Sequence, residues 1–232
     1  MARLLMIRHG QASFGADDYD ALSEAGHEQA RVLGRSLAAR GIRPGLVLRG
    51  TLRRHAETVA GLDLPAAVTV DPGCDEFDFQ HVVEVHRPLY RDRAAMMAEL
   101  GRNARPDRAF QEVFEAATGR WSSGGNDHEY AESFPAFRDR VAGVLDRAGE
   151  LLREHRDIVA VSSGGPIAMA VALLTCGPKA DVAQLATVWT ALNRVAVNTG
   201  VTKLIAGRRG LSMSTYNEHT HLDGDARLLT YR

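Results

Sequence analysis

The sequence predicts an α/β fold: a three-layer α/β/α sandwich with a mostly parallel sheet, an antiparallel edge strand and a mainly helical cap insertion. Three observations support this prediction. Early in the chain, short apolar runs alternate with segments of helical periodicity, the order that builds a parallel sheet covered by helices. Between residues 77 and 130 this alternation gives way to helical pieces, and the end of the chain carries strand patterns around a turn.

The first part of the chain contains two predicted pairs of a strand and a helix. Leu4–Ile7 is an apolar run without alternation, which is typical of a strand buried on both faces. Ser23 is a favourable N-cap for the helix that follows, and Gly41 is a favourable C-cap. Leu46–Leu48 predicts a second buried strand, and Thr51–Ala60 predicts a second helix. This order favours parallel pairing of the strands.

The middle of the chain predicts the cap and the third buried strand. In the cap we expect helices at Ala94–Leu100 and Arg108–Ala117. Beyond it, Pro135 begins a long amphipathic helix, Ile158–Val161 is the third buried strand, and Pro166 lies in the first turn of the next helix.

The end of the chain predicts a hairpin at the edge of the sheet. Arg194–Asn198, Val201–Ile205 and Leu211–Tyr216 are strand patterns, and the turn Gly207–Gly210 connects the last two. A chain of 232 residues is long enough to bury one large core. We interpret residues 1–232 as a single domain, in which the cap is an insertion.

Composition and charge restrict the classes of function. The chain has 45% hydrophobic and 25% charged residues, which is typical of a globular protein, and a formal net charge of -1. A nearly neutral chain has no global field to attract nucleic acid or an anionic membrane, so we expect neither as a partner. Cys74 and Cys176 are too few for a disulfide framework, and Met1–Ile7 does not resemble a signal peptide. We therefore expect a cytoplasmic protein.

Polar residues follow the predicted strands at their carboxyl ends, where ligands bind in open α/β sheets. Arg8–Gly10 follows the first strand, and Ser162–Gly165 follows the third. The helix after the second strand carries Arg53–His55 in its first turn. Arginine offers a planar fork of donors that matches phosphate oxygens, and glycines beside a helix start leave backbone N–H groups free to face an anion. Together these residues predict a phosphate site.

These segments, in this order and over almost the whole chain, resemble the histidine phosphatase superfamily, also called phosphoglycerate-mutase-like. The resemblance begins at Arg8-His9-Gly10, the signature of that family. The other matching segments are LSEAG (Leu22–Gly26) with Gln29-Ala30, TLRRHAET (Thr51–Thr58) beside the family's SxLxRAxxT, Glu132-Ser133 with Arg140, VSSGG (Val161–Gly165) beside VSHGG, and Asn217 with His221-Leu222.

The resemblance implies a mechanism without a metal or cofactor. His9 is implied as the nucleophile that forms a phosphohistidine, which water then hydrolyses. Arg8 and Arg54 are implied as the clamp that neutralises and holds the transferring phosphoryl group.

The same mechanism needs a carboxylic acid that protonates the leaving alcohol and then activates the water. The resemblance places this glutamate after the second helix, in a segment beginning LxE, and CDEFDF (Cys74–Phe79) is the best match. Glu76 is therefore the expected proton donor, with Asp78 or Glu84 as alternatives.

One position departs from the family pattern. Where VSHGG has its histidine, this chain has Ser163, followed by Gly164. A serine hydroxyl can bind a phosphate oxygen but brings no positive charge, and the loss of such a donor typically costs on the order of 10²–10³ in rate. We expect Ser163 and Gly164 to bind phosphate, with His55, His81 or His128 as candidates for the missing partner.

The sequence thus predicts a metal-independent phosphatase that hydrolyses a phosphomonoester, slowly if Ser163 limits it, on a phosphorylated small molecule or phosphoprotein. The alternatives are a non-catalytic phosphate- or phosphoprotein-binding pseudoenzyme and phosphotransfer of the phosphoglycerate-mutase type. We expect the cap to select the substrate, with Phe77, Phe79, Trp121 and Tyr130 as candidates for an apolar wall.

Overall fold

The computed structural model of the chain describes residues 1–13 and 20–231. The strands are β1 (Arg3–Arg8), β2 (Leu46–Arg49), β3 (Ala67–Val70), β4 (Asp157–Ser162), β5 (Val201–Gly207) and β6 (Gly210–Glu218). The helices are α1 (Glu24–Ala39), α2 (Arg53–Leu62), α3 (Phe79–His86), α4 (Arg93–Leu100), α5 (Pro106–Ser122), α6 (Phe134–Leu151), α7 (Gly164–Cys176) and α8 (Val182–Arg194). Short 3₁₀ turns lie at Pro72–Cys74, Pro88–Arg91, Asp127–Glu129, Thr220–Leu222 and Ala226–Leu228.

The strands form one sheet in the order β3-β2-β4-β1-β5-β6. β1 pairs in parallel with β4, and β2 pairs in parallel with both β4 and β3. β5 runs antiparallel to β1 and to β6, with which it forms the predicted hairpin at the edge. In this register Leu4 lies opposite Ile158 of β4 and Leu204 of β5. The mostly parallel sheet with an antiparallel edge is confirmed.

Helices cover both faces of the sheet. Alternate residues of β1 enter different cores: Leu5 and Ile7 pack with residues of α1 and α2, such as Leu33, whereas Leu4 and Met6 pack with residues of α6 and α7. Because both faces of β1 are buried, the strand shows no polar alternation, and this explains its uninterrupted apolar run. The predicted three-layer α/β/α sandwich is confirmed.

Helix ends coincide with capping residues. The Ser23 hydroxyl accepts the backbone N–H of Gly26 at 3.1 Å and so begins α1. Gly41 follows the end of that helix with a φ of 68°, a left-handed conformation that glycine adopts without strain. Ser133 begins α6 in the same way as Ser23, accepting the N–H of Ala136 at 3.2 Å. In the parts of the chain that the structure describes, no helix has both the length and the apolar character needed to cross a membrane.

The structure differs from the prediction at two strands. β3 (Ala67–Val70) is missing from the predicted strands, because all four residues are exposed at the sheet edge and form no buried apolar run. The predicted strand at Arg194–Asn198 is wrong: α8 ends at Arg194, and residues 195–200 form a loop. Buried apolar residues in this loop produce the strand-like pattern.

The cap region is mainly helical, as predicted, and contains α3, α4 and α5. Trp121, at the end of α5, connects the cap to the rest of the protein. The indole ring stacks on Phe77 with ring centroids 4.7 Å apart, and its N–H donates to the carbonyl of Glu132 at 2.8 Å. Trp189 of α8 packs edge-on against the same indole, at 5.8 Å. Aromatic packing therefore fixes the cap to the helical layer. The interpretation as one domain stays a prediction.

Gly26 lies where α1 meets the loop after β1. A β-carbon at this position would lie 2.2 Å from the carbonyl oxygen of Gln11, and one at Gly10 would lie 2.5 Å from the carbonyl oxygen of Gly26. We expect Gly26→Ala to lower the free energy of unfolding by about 1–3 kcal/mol through overpacking, measured by urea denaturation. Gly149→Ala in α6, where a β-carbon meets nothing within 4 Å, is the matched control and should not destabilise the protein. Equal stability of the two variants would contradict the close packing of Gly26 against the backbone of Gln11.

Candidate active site

A cavity of about 500 Å³ opens at the carboxyl ends of β1 and β4. One part of its wall, here called the polar half, carries Arg8, His9, Arg54, Glu76 and Gly164. The other part, here called the aromatic half, is supplied largely by α5 and α8. Its aromatic residues are Phe77, Phe79, Phe110, Phe114 and Trp189, and polar side chains of α5 and α8 lie among them.

His9 is held at the end of β1 with one ring nitrogen available. Its backbone N–H donates to the carbonyl of Ser162 at 2.9 Å, and its Nδ1 lies 2.7 Å from the carbonyl oxygen of Gly10. Since a carbonyl only accepts, Nδ1 carries the proton and Nε2 keeps its lone pair. Burial lowers the pKa of His9 well below its ordinary value, and the charges of Arg54 and Arg8 lower it further. The ring is therefore neutral at neutral pH and nucleophilic at Nε2.

The loop 195–200 fixes the backbone that carries these side chains. The side-chain amide of Asn198 donates to the carbonyl of His9 at 3.1 Å, and the N–H of Thr199 donates to the carbonyl of Arg8 at 3.0 Å. Thr199 adopts a φ of 58°, in the left-handed region that β-branched residues rarely occupy. The surrounding hydrogen bonds hold this conformation and so support the end of β1 from a distant part of the chain.

Two guanidinium groups contribute to the polar half. Arg54, in the first turn of α2, is buried and pairs with the carboxylate of Asp20 at 2.6 Å. Arg8, at the end of β1, donates to the backbone carbonyls of Ala196 and Tyr231. Both groups carry positive charge to a cavity that contains the neutral imidazole of His9, and their planar donors match the oxygens of a phosphoryl group. An entering phosphate would compete with Asp20 for Arg54.

Glu76 brings a carboxyl group into the same half of the cavity. Its Oε2 accepts the backbone N–H of Gly165, and its Oε1 accepts that of Phe77, each at 3.2 Å. Burial raises the pKa of Glu76, against the opposing effects of the Arg54 charge and the Gly165 hydrogen bond. A carboxyl with a raised pKa holds its proton to higher pH, which suits a general acid.

The two alternative carboxylates lie elsewhere on the molecule. Asp78 is exposed, and its Oδ1 accepts the N–H of His81 at 2.9 Å as the N-cap of α3. Glu84 lies within α3. Neither is among the described residues that line the cavity. Of the three candidate carboxylates, Glu76 is the one that lines the cavity.

Ser163 is buried at the N-cap of α7, immediately before Gly164 of the cavity wall. Its Oγ lies 2.8 Å from Nε2 of His55, which is also fully buried. Of the three histidines considered as candidates, His55 is thus the one in contact with Ser163. His81 accepts the backbone N–H of Ala131, and His128 lies in the 3₁₀ turn at residues 127–129.

The predicted aromatic wall is present in part. Phe77 and Phe79 line the cavity, whereas Trp121 and Tyr130 are buried in the core beneath the cap. Neither Trp121 nor Tyr130 lines the cavity, and Trp121 stacks on Phe77 from the core side.

The contributions of α5 and α8 to the cavity are absent from the sequence-based prediction. Phe110 and Phe114 lie one turn apart on α5, and Arg194 lies at the end of α8. Two patterns could have indicated them. An aromatic pair at a spacing of four residues marks one helix face, and Asp181 with Gln184 forms a capping box that begins α8.

Family comparison agrees with this geometry. The family model of the histidine phosphatase superfamily (branch 1) matches residues 4–123 and 98–207, which together cover most of the chain. None of the curated proteins compared with this chain matches its sequence.

Solved structures of phosphatases share the fold. A mutant phosphoserine phosphatase from Entamoeba histolytica, in complex with phosphoserine, has a TM-score of 0.67 at 18% identity, over 96% of this chain and 100% of its own. The α-ribazole phosphatase from Shigella flexneri has a TM-score of 0.62 at 21% identity, over 94% and 96%. The mycobacterial glucosyl-3-phosphoglycerate phosphatase has a TM-score of 0.59 at 21% identity, over 95% and 100%.

At these identities the likeness to solved structures is one of fold. The family match carries the assignment, and together with the shared fold it supports a phosphatase. The chain belongs to the histidine phosphatase superfamily (branch 1).

Proposed function

We propose that this protein hydrolyses phosphomonoesters through a phosphohistidine on His9. The observation that carries the proposal is the content of the polar half. A neutral histidine with a free Nε2, two guanidinium groups and a carboxyl with a raised pKa line one wall of the cavity. These are the nucleophile, the charge clamp and the general acid that phosphoryl transfer to a histidine requires.

The reaction proceeds in two steps. In the first, Nε2 of His9 forms a bond to phosphorus while the bond to the ester oxygen breaks, and Glu76 gives its proton to the departing alcohol. Arg8 and Arg54 neutralise the charge on the transferring group. In the second, the Glu76 carboxylate takes a proton from water as that water attacks phosphorus. The bond from phosphorus to nitrogen breaks, inorganic phosphate leaves, and both side chains return to their starting states.

The aromatic half supports a substrate class. Five phenyl and indole rings belong to the wall of the same cavity as His9, and they suit an alcohol with an apolar or aromatic body. The phosphatases that share the fold act on compounds as different as phosphoserine and α-ribazole phosphate, to judge from their names. The aromatic wall therefore favours phosphomonoesters of apolar or aromatic alcohols as substrates.

The test is hydrolysis without added metal and with a chelator present, across roughly pH 4 to 8. Aryl phosphates (p-nitrophenyl and 1-naphthyl phosphate) are compared with glycerol phosphate. We expect turnover, with higher kcat/KM for the aryl esters, and an acid-labile, base-stable phosphoenzyme trapped by rapid denaturation in alkali. Binding of orthovanadate without turnover of any ester would contradict the proposal and support the alternative, a phosphate-binding pseudoenzyme.

A further inference from the structure

Three buried or partly buried polar groups lie in a row behind the polar half. Oδ1 of Asp75 is 3.6 Å from Nδ1 of His55, and Nε2 of His55 is 2.8 Å from Oγ of Ser163. Asp75 is itself fixed, because the backbone N–H and the hydroxyl of Thr51 each donate to it at 2.6 Å. In the order carboxylate, imidazole, hydroxyl, the carboxylate stabilises a proton taken up by the ring. The same proton changes the hydrogen bond that the ring makes with the hydroxyl.

This row ends beside the nucleophile. His55 directly follows Arg54 on α2, and Ser163 directly precedes Gly164, so both chain neighbours line the cavity. The rings of His55 and His9 have centroids 5.7 Å apart. Neither His55 nor Ser163 is among the described residues that line the cavity, so the row lies directly behind its wall, on the side of His9.

Gly50 leaves the space that Asp75 and His55 occupy, because it has no side chain. A β-carbon at Gly50 would lie 2.2 Å from Oδ1 of Asp75 and 2.3 Å from Nδ1 of His55. In addition, Nδ1 of His55 is buried without a hydrogen-bond partner, since 3.6 Å is too long for one. A small approach of the Asp75 carboxylate would close that bond. His55 is thus a buried imidazole that would have hydrogen bonds at both ring nitrogens after a small movement of Asp75.

Two residues that contact each other depart from the family pattern quoted above, as does Gly50 at the position of its serine. The position after the arginine of SxLxRAxxT is alanine in the pattern and His55 here. The position before the first glycine of VSHGG is histidine in the pattern and Ser163 here. The histidine thus stands at the end of the strand in the family pattern and on α2 in this chain, and the two positions are in contact here.

We propose that His55 is a positioning residue that supplies, through the hydroxyl of Ser163, the donor that a histidine at position 163 would supply. The inference rests on the proposed phosphatase function. With neutral His55, Nδ1–H faces Asp75 and Nε2 accepts the Ser163 hydroxyl proton. When His55 takes up one proton, Nε2–H donates to Ser163 Oγ. The serine hydroxyl is then released and, with a small shift of Ser163 towards the cavity, donates to a phosphoryl oxygen.

The charges around His55 favour this reversal when phosphate is bound. Burial and the nearby charge of Arg54 keep the pKa of His55 below its ordinary value, while Asp75 and Asp20 act in the opposite direction. His9, the other titratable neighbour, is neutral. A phosphoryl dianion adds negative charge and neutralises Arg54, and both effects favour protonated His55.

The test is an exchange of the two side chains. We expect His55→Gln, which keeps the volume but cannot become charged, to lower kcat/KM for p-nitrophenyl phosphate about 10²-fold. Ser163→His alone should lower it at least as much, because Oγ of Ser163 already lies 2.8 Å from Nε2 of His55 and leaves no room for a larger ring. The double variant His55→Ala/Ser163→His places the imidazole back on the strand end, and we expect it to recover activity to within about tenfold of wild type.

A merely structural role would give different results. Asp75→Asn should shift the pH dependence of kcat/KM to lower pH, because it removes the carboxylate that favours protonated His55. His81→Ala in the cap serves as the control, with wild-type activity expected. Activity of His55→Gln within twofold of wild type, or a double variant no more active than the weaker single variant, would overturn the inference. Thermal unfolding of each variant identifies any that fail to fold.

The same variants separate this inference from the proposed function. If wild type turns over no ester, the phosphatase proposal fails by itself. The relay is then judged by the dissociation constant for orthovanadate, which His55→Gln should raise about tenfold and the double variant should restore. An unchanged dissociation constant in His55→Gln would overturn the relay.

Discussion

His9→Ala is expected to lower kcat/KM for p-nitrophenyl phosphate by at least about 10³-fold, because it removes the ring that accepts the phosphoryl group from the ester. The trapped phosphoenzyme should disappear completely in His9→Ala. In wild type, activity should extend to acid pH below the usual range for histidine. The nucleophile is the neutral ring, and burial together with Arg54 and Arg8 lowers its pKa, so the ring stays neutral as the pH falls.

The control for this variant is His128→Ala, a histidine in a surface turn outside the cavity lining. It should behave as wild type in rate and in phosphoenzyme yield. The phosphate clamp is intact in His9→Ala, so inorganic phosphate should still protect it from thermal unfolding. Retention of more than about a tenth of the wild-type rate in His9→Ala would remove His9 from the mechanism.

Replacement of Glu76 by glutamine is expected to have an effect that depends on the leaving group. For glycerol phosphate, whose alkoxide departs poorly without a proton, kcat/KM should fall about 10²–10⁴-fold. For p-nitrophenyl phosphate, whose phenolate departs readily, formation of the phosphohistidine should slow less than about tenfold. Rapid-quench measurement of phosphoenzyme formation separates this step from its hydrolysis.

The pH dependence of phosphoenzyme formation is a second test of Glu76 as the general acid. Its pKa is raised by burial, so the protonated acid is present below that pKa and is lost as the pH rises through it. In wild type, phosphoenzyme formation from the alkyl ester should therefore decline on the alkaline side, and this decline should be absent from Glu76→Gln. Asp78→Asn, which preserves the N-cap of α3, is the matched control. A larger loss in Asp78→Asn than in Glu76→Gln would transfer the role to Asp78.

Much of the polar half could be predicted from sequence because it lies in short local motifs. Arg8 ends the buried strand β1 and His9 follows it directly, and Arg54 lies in the first turn of a helix with a clear pattern. The core could be predicted for the same reason: strands buried on both faces, such as β1 and β4, leave uninterrupted apolar runs. Local order along the chain was enough to indicate these elements.

The remaining features depend on contacts that no local pattern contains. The short edge strand β3 is held by pairing with β2 while its own side chains are exposed. The loop 195–200 looks like a strand because its apolar residues are buried by tertiary packing. The hydrogen bond between His55 and Ser163 joins residues 108 positions apart, so only the folded chain shows that the histidine has a partner.

The division of the cavity into two halves has a consequence for protein engineering. The polar half is built from strand ends and helix starts whose neighbours are core residues, so changes there disturb folding as well as chemistry. In the aromatic half, Phe77 and Trp189 belong to the core, but Phe110 and Phe114 of α5 are only half-buried. The choice of alcohol can therefore be redesigned on α5 while the reacting groups stay in place, which makes this chain a scaffold for phosphatases of altered selectivity.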